Sequence, residues 1–494
     1  MSALALRIAP ARTLLWPMIG TALALVLAGT GVLIPLLPLV ALLGLAVVLA
    51  TPMRGPVLAL TMLALLVDNP GERPMDGRWE SPLLAPGRLL YLNLNSLTGI
   101  GPLRFSLLEA LIVLLVAIVV LRKLLDDPID DPRRLGLLPN PMRIAFAVFA
   151  TTIVALEFWG LARGGDFRNS LWQARQLFWL PVLGVLFGNA LKEMGARAAL
   201  LRGLVVVAWV RCLAGIWFYF AIARPSGVRP EYSMTHSDSV IIVVAAIIAI
   251  AALVERPSIH HLALNLVTQP VFALGLIVND RRLAFVMLGG GMVALILMGP
   301  PSLKRLLRRS LIVVIPLALL YVGVGWNSNA GAFRPVSVLR SLTTQTDTSS
   351  KTRDIENYNL IKTLEVNPQV GSGVGHEYRE LVEAYRVDQV FEQYRYIAHN
   401  SVLWLLSLAG WIGFTLLWGV FPVGVAIALS AHRNSRGVID RVTTLATVVA
   451  ILSFVLQAWG DMGLQSWMAT IVTTALMGAS GALFTSSSHQ DCLP

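Results

Sequence analysis

Between Thr13 and Met53 the chain carries no charged side chain, 41 positions interrupted only by a Gly-Thr-Gly break at Gly29 to Gly31. About 20 apolar residues cross a bilayer, so this stretch reads as two helices joined by a tight turn. A cleaved signal peptide has an apolar region of only about 7–15 residues, so the start is expected to be an uncleaved anchor. The pattern then recurs. Further apolar spans are predicted at 55–67, 105–121, 144–162, 172–189, 203–222, 238–254, 262–278, 283–299, 311–326, 410–430, 442–458 and 467–485. The expected fold is an all-α integral membrane protein of about 12–14 transmembrane helices, with ends good to a few residues.

Composition closes off the alternatives. Hydrophobic residues make up 56% of the 494 and charged residues 14%, with a mean hydropathy of +0.71. A soluble domain carries roughly 25% charged and about 45–50% apolar residues. No soluble core could absorb that excess, which excludes a cytosolic enzyme and a disordered or fibrous chain. Cys212 and Cys492 stand in an apolar segment and at the tail, so neither a disulfide framework nor a zinc-type spacing arises.

The formal charge of +11 and the pI near 10.1 need no nucleic acid to explain them. With the N-terminus inside, the cytoplasmic segments hold 19 Lys plus Arg, including Arg122, Lys123, Arg133, Arg134 and Arg143 in one loop and Lys304, Arg305, Arg308 and Arg309 in another. The short outside loops hold 10, the inside excess that fixes orientation. Every one of those outside residues is Arg, the side chain that grips phosphate through a planar bidentate fork.

Four regions follow. Residues 1–326 are membrane helices with short loops and a Pro- and Gly-rich external segment at 68–104. Residues 327–400 form a long external loop, 401–485 the C-terminal helices, and 486–494 a cytoplasmic tail. The long loop has eight basic and nine acidic residues and carries Tyr358, Tyr378, Tyr385, Tyr394 and Tyr396. Stretches at 354–366 and 377–395 have helical periodicity with polar faces, which predicts a small helical lid.

Polar groups in so apolar a chain are costly and are therefore candidates for function. In Asn279-Asp280-Arg281-Arg282, two guanidiniums sit at an outer boundary with almost no loop. They are either a snorkelled pair neutralised by Asp280 or an anchor for an anionic headgroup, a diphosphate above all. Arg175 stands about one turn below the outer boundary, open to the same two readings. Arg211 lies mid-span and calls for a carboxylate partner such as Glu157. In Asn367-Pro368-Gln369-Val370-Gly371-Ser372-Gly373-Val374-Gly375, no strand and helix flank the glycines as a nucleotide motif requires. That element reads instead as a tight turn needing φ > 0, able to shape a site. His399-Asn400 closes the long loop, and a histidine there can serve structure or act as a general base. Asn400 either orients it or caps the next helix. His260, His261, His432 and His489 look bland, whereas His236 and His376 lie outside. No His, Asp and Glu set has metal-ligand spacing, and neither metal nor cofactor is expected.

The order of these features is distinctive: a helix Arg, an Arg-Arg pair opening a later helix, then a long loop with Arg353, Asn-Pro-x-x-Gly-x-Gly and a closing His-Asn before Leu403-Trp404-Leu405-Leu406-Ser407-Leu408-Ala409-Gly410. It resembles the bacterial O-antigen ligase and O-antigen polymerase superfamily, specifically over 349–413 and supportively at 279–286. The resemblance implies a GT-C-like, metal-independent, inverting glycosyltransferase of the bacterial inner membrane. Such an enzyme takes a glycan from undecaprenyl diphosphate at the periplasmic face. It further implies His399 as catalytic base and Arg175, Arg281, Arg282 and Arg353 as the donor diphosphate clamp. Asn400, Gly371, Gly373 and Arg211 are expected in support. Arg282, followed by Leu283-Ala284, sits where the family has Arg in a Ser-Arg-Gly-Ala-like element. Here Asp280-Arg281-Arg282 replaces the Ser and adds a basic neighbour, so either Arg281 or Arg282 can be the one that contacts the diphosphate. The acceptor is a glycan, for a polymerase of exopolysaccharide or O-antigen, or lipid A–core, for a ligase. The Arg-Arg variant and the extra length tip the reading slightly toward polymerase, the near-neutral loop counts mildly against a ligase, and a chain-length regulator is a possible partner. The non-enzymatic rival is a lipid-linked glycan flippase.

Overall fold

The computed structural model describes residues 37–72, 83–101, 103–125, 138–227, 233–328, 348–383 and 393–490, with single positions 81, 333, 336 and 340. The first predicted span, the Gly29 to Gly31 break, Arg133, Arg134 and Tyr385 lie outside the described residues. Among those described the chain is helical, with no strand beyond an isolated bridge between Asn93 and Ser106.

In chain order the helices are α1 (Leu37–Ala50), α2 (Arg54–Leu66), α3 (Leu84–Tyr91), α4 (Leu94–Thr98), α5 (Leu107–Leu124), α6 (Asn140–Ala162), α7 (Phe167–Ala190) and α8 (Met194–Trp217). A π-helical turn, Phe218–Ala223, extends α8. Then come α9 (His236–Glu255), α10 (Ile259–Asn279), α11 (Arg282–Met298), α12 (Pro301–Gly325), α13 (Thr348–Val366), α14 (Ser401–Trp418), α15 (Val420–Asn434), α16 (Val438–Gly460) and α17 (Trp467–Gln490). Among the described residues, seven segments are both long and apolar enough to cross a membrane, with α8 and its π turn, and α14 and α15, each counting as one. The expected number was higher for identifiable reasons. Helices α2 and α11 are apolar but have only 13 and 17 residues. Helix α7 opens with Arg168, Asn169, Gln173, Arg175 and Gln176, and α5 carries Glu109, Arg122 and Lys123.

A helix that is apolar all round belongs in an interior. Helices α9, α16 and α17 are of this kind and lie at the centre, with Val240 through Ala246 of α9 and Met468, Ala469, Val472, Ala475 and Leu476 of α17 buried. Around them, α6, α8, α10, α11 and α12 turn apolar side chains outward, among them Phe158, Val206, Leu266, Val293 and Leu319. Such faces suit lipid, where apolar burial gives no drive to associate and small residues and interhelical hydrogen bonds do the joining. Helix α17 follows that rule. A Cβ on Gly478 would stand 2.7 Å from the Gly188 nitrogen of α7, and Thr447 of α16 donates to the Leu476 carbonyl at 2.8 Å.

Two ends of the bundle differ. One holds Arg197 paired with Asp440, Arg441 paired with Glu255, and His432 bonded to Thr444 and the Met298 carbonyl. The other gathers the starts of α9, α11, α14 and α17 under α13, which packs on α14. The stretch 377–395, expected as helix, is not helical where it is described. Asn359 of α13 takes the Leu381 and Val382 N–H groups at 3.0 and 3.1 Å and donates to the Val382 carbonyl, so this backbone bonds sideways to α13.

Helix α14 is broken at Gly410, where φ is 61° and ψ −178°. The Asn-Pro-x-x-Gly-x-Gly loop fills the break. Ser372 and Gly373 donate to the Ser407 and Leu408 carbonyls at 3.2 and 2.9 Å, and Trp411 and Ile412 donate to Pro368 and Gln369 at 2.8 and 3.0 Å. Irregular backbone at membrane depth survives only when protein satisfies it, as here. Gly371 and Gly373 thus shape the floor beneath the loop, both with positive φ. A Cβ on Gly373 would meet the Gly160 Cα of α6 at 2.5 Å. Gly373→Ala is expected to lower the melting temperature more than Gly164→Ala does. Both have positive φ, but Gly164 has open space, so it incurs only the strain of about 1–3 kcal/mol. Equal melting shifts would remove the close approach as the cause.

Candidate active site

His399 stands where the long loop re-enters the bundle. Its Nδ1 lies 3.2 Å from Glu356 of α13, and its backbone N–H donates to the same carboxylate at 3.1 Å. The ring keeps 39% of its side chain exposed while Glu356 keeps 9%, so the carboxylate is enclosed and the imidazole accessible. Next to it, Asn400 caps α14 by accepting from Leu403 at 3.1 Å, so it holds the helix start and leaves orientation to Glu356. Ser401 donates to the Asp461 carbonyl at 3.0 Å and thereby ties α14 to the α16–α17 connection.

The facing wall comes from α9 and the α10–α11 turn. Asn279 is fully buried and accepts from Met234 at 2.8 Å while donating to Thr235 and Ser239. That clasp sets the turn beside the start of α9. Asp280 takes the left-handed cap of α10 with φ 56°, and Arg281 becomes the N-cap of α11. His236, first residue of α9, faces Asp461 across 3.4 Å. It lies within electrostatic reach of Arg281, Arg353 and His399. Two histidines, each facing a carboxylate, thus lie at this end of the bundle, with Arg281 and Arg353 within electrostatic reach of His236. The starts of α9, α11 and α14 lie at the same end, and their dipoles add positive potential there.

The hydrogen bond to Glu356 holds the His399 imidazole above the ordinary histidine range, against the opposing effect of burial. A reaction that needs neutral His399 is lost as pH falls through that raised value. Glu356→Gln removes the charge and is expected to move the acid limb of kcat/KM toward lower pH. An acid limb that stays put would show that Glu356 does not set it.

Of the residues singled out from sequence, His399, Arg281 and Arg353 all lie within electrostatic reach of His236. Arg282 is exposed at the first position of α11. Arg175 is engaged elsewhere: it pairs with Glu109, donates to Asn93 at 2.8 Å, and shares that carboxylate with Trp179. Arg211 does not meet Glu157, which accepts from Ser170. Its partners are Asp238 and Asp68, together with the carbonyls of Leu65, Leu66 and Val67, because α8 lies beside α2 and α9. A cavity opens beside this group, lined in part by Asn69, Phe218 and Ser233, and His399 does not border it. His376 bonds the Gly160 carbonyl at 3.1 Å.

Sequence reasoning missed Glu356 and Asp461, and left His236 without a role. A signal for Glu356 existed: it follows Arg353 by three residues, so one turn of α13 puts both on one face. Asp461 had a weaker one, an acid closing an apolar span on the same side as the arginines. No family model matches the chain, and no curated protein matches it.

Proposed function

We propose that this chain is a periplasmic-face glycosyltransferase of the O-antigen polymerase and ligase type, with a GT-C-like architecture and 327–400 as its periplasmic loop. It moves a glycan from undecaprenyl diphosphate to a sugar hydroxyl. The observation that carries this reading is the His399–Glu356 pair, with Arg353 within its electrostatic reach, at the polar mouth of an apolar bundle. With Glu356 on Nδ1, the neutral imidazole offers Nε2 as a base for the acceptor O–H. The arginines meet the charge that grows on the leaving diphosphate, in a partly dehydrated site where preorganised cations count most. The polyprenyl tail stays among lipid-facing helices. A flippase needs charge deep along several spans, whereas the charges of this site gather at one end.

Polymerase is favoured over ligase, because a lipid A–core acceptor bears phosphate and the loop offers eight basic against nine acidic residues. The test is the glycan profile of a strain lacking this protein. Single repeat units in place of long chains identify a polymerase. Long chains held on the lipid carrier and missing from lipid A–core identify a ligase. An unchanged profile overturns the proposal.

A further inference from the structure

Residues 396–399 carry the long loop back into the bundle, and side chains from three helices fasten their backbone. Resting on the reading of His399 as the base, we propose that Gln173 of α7 is a positioning residue for it. The buried Gln173 amide holds the returning arm of the loop so that His399 meets Glu356.

Gln173 is fully buried. Its Nε2 donates to the Tyr396 carbonyl at 2.7 Å and to the His376 carbonyl at 3.1 Å. Its Oε1 accepts from the Gly375 N–H at 2.6 Å. A primary amide has two N–H donors and one carbonyl acceptor, and these three partners use all of them. Two carbonyls on one side and an N–H on the other also fix which way the amide faces. Glutamate lacks the donors, and asparagine is one methylene short of the same reach. Residues 375 and 376 belong to the arm that leaves the glycine turn and 396 to the arm that returns, so one side chain joins the two.

The fastening continues toward the histidine. The Tyr396 carbonyl also accepts from Trp404 Nε1 of α14 at 2.6 Å, and Ile397 and Ala398 are buried. His399 then gives its N–H to Glu356 of α13. On the α7 side, the Asp166 N–H donates to the Gly375 carbonyl at 2.9 Å, so the arm that Gln173 grips is itself docked. Successive helical residues turn by about 100°, so Gln173 and Arg175 leave α7 about 200° apart. Arg175 accordingly faces Glu109 of α5, and Gln173 faces the loop.

The charged groups within reach of His399 are Glu356 and Arg353 of α13, Asp461 of the α16–α17 connection and His236 of α9. Gln173 is neutral and adds no charge to them. Its influence on the imidazole therefore passes through position, above all through the 3.2 Å between Nδ1 and Glu356. If the arm loosens, that distance grows. The hydrogen bond that holds the imidazole above the ordinary histidine range then weakens.

The experiment follows the His399 ring by NMR in the full chain in nanodiscs, with ring-labelled histidine and His399→Gln to assign the signal. Gln173→Leu is expected to move the His399 titration to lower pH. It should also lower kcat for glycan transfer about 10- to 100-fold, because a misplacement of about 1 Å is worth about 10²-fold. KM should stay within about twofold, since the lost bonds touch no substrate. Trp404→Phe removes one bond to the Tyr396 carbonyl, should shift the titration the same way by less, and serves if Gln173→Leu does not fold. Asn265→Leu is the control: it removes another buried amide, on α10, which donates to the Ala249 and His261 carbonyls at 2.9 Å. It should lower the melting temperature and leave the His399 titration in place. An unchanged titration in Gln173→Leu, or in Trp404→Phe where the former does not fold, would overturn the proposal. So would an equal shift in Asn265→Leu, which would make the effect one of general loosening. The titration needs no substrate, so a wild type that transfers no glycan overturns the glycosyltransferase reading while the role of Gln173 is still decided.

Discussion

In a strain whose only copy of this protein carries His399→Ala, long-chain glycan is expected to disappear from the product gel while protein level and membrane insertion stay normal. General base catalysis contributes about 10²- to 10⁴-fold, so the residual rate falls below what builds a polymer. The substitution removes a partly exposed ring paired with Glu356, so little stability should be lost with it. Glu356→Gln separates position from charge. It should retain more activity than His399→Ala, because the amide oxygen can still accept from Nδ1–H, and its pH profile should differ in shape. Product at wild-type length and amount in the His399→Ala strain would remove His399 as the base.

How much of this could be read from the chain alone depends on the range of the physics involved. Spans are local: an apolar run of about 20 residues has few soluble alternatives, and the helices fall where the runs are. His399 and Arg281 were also legible, since each is a polar group at the edge of such a run, where its cost has to be answered by a use. Their partners were not. Glu356 is 43 positions from His399 and joins it only because α13 folds back over α14. Arg211 announced its need for a carboxylate, but which one depended on α8 lying against α9, a lateral choice with no trace in periodicity. The glycines at 371 and 373 showed their positive φ, whereas Gly410 looked like one more helical residue in an apolar run. Only in the fold do the two features become one device, a loop that supplies the hydrogen bonds a broken helix lacks. Where it is described, the helical pattern at 377–395 was genuine locally and lost at Leu381 and Val382 to Asn359, whose side chain offers that backbone better-placed partners.

The second large effect is expected far from the chemistry, at Arg211. Its guanidinium is 4% exposed and joins three elements: the end of α2 through the Leu65, Leu66 and Val67 carbonyls, Asp68 beyond it, and Asp238 of α9. Arg211→Met keeps much of the volume and removes the charge. That leaves Asp238 buried without its cation, and breaking a buried pair from one side costs about 3–5 kcal/mol. The detergent-solubilised variant should therefore melt well below wild type, with loss of folded protein in the membrane. Asp238 also accepts from the Thr235 N–H at 2.8 Å and from its hydroxyl at 2.9 Å, so removing its charge as well is instructive. Arg211→Met with Asp238→Asn should recover part of the loss, because no uncompensated charge remains and the amide oxygen can still cap α9. That recovery distinguishes a buried ion pair from simple loss of packing. A double variant that melts below both singles would show that Arg211 works mainly through the three carbonyls of α2. A melting temperature unchanged by Arg211→Met would show that this buried charge does not hold α2, α8 and α9 together.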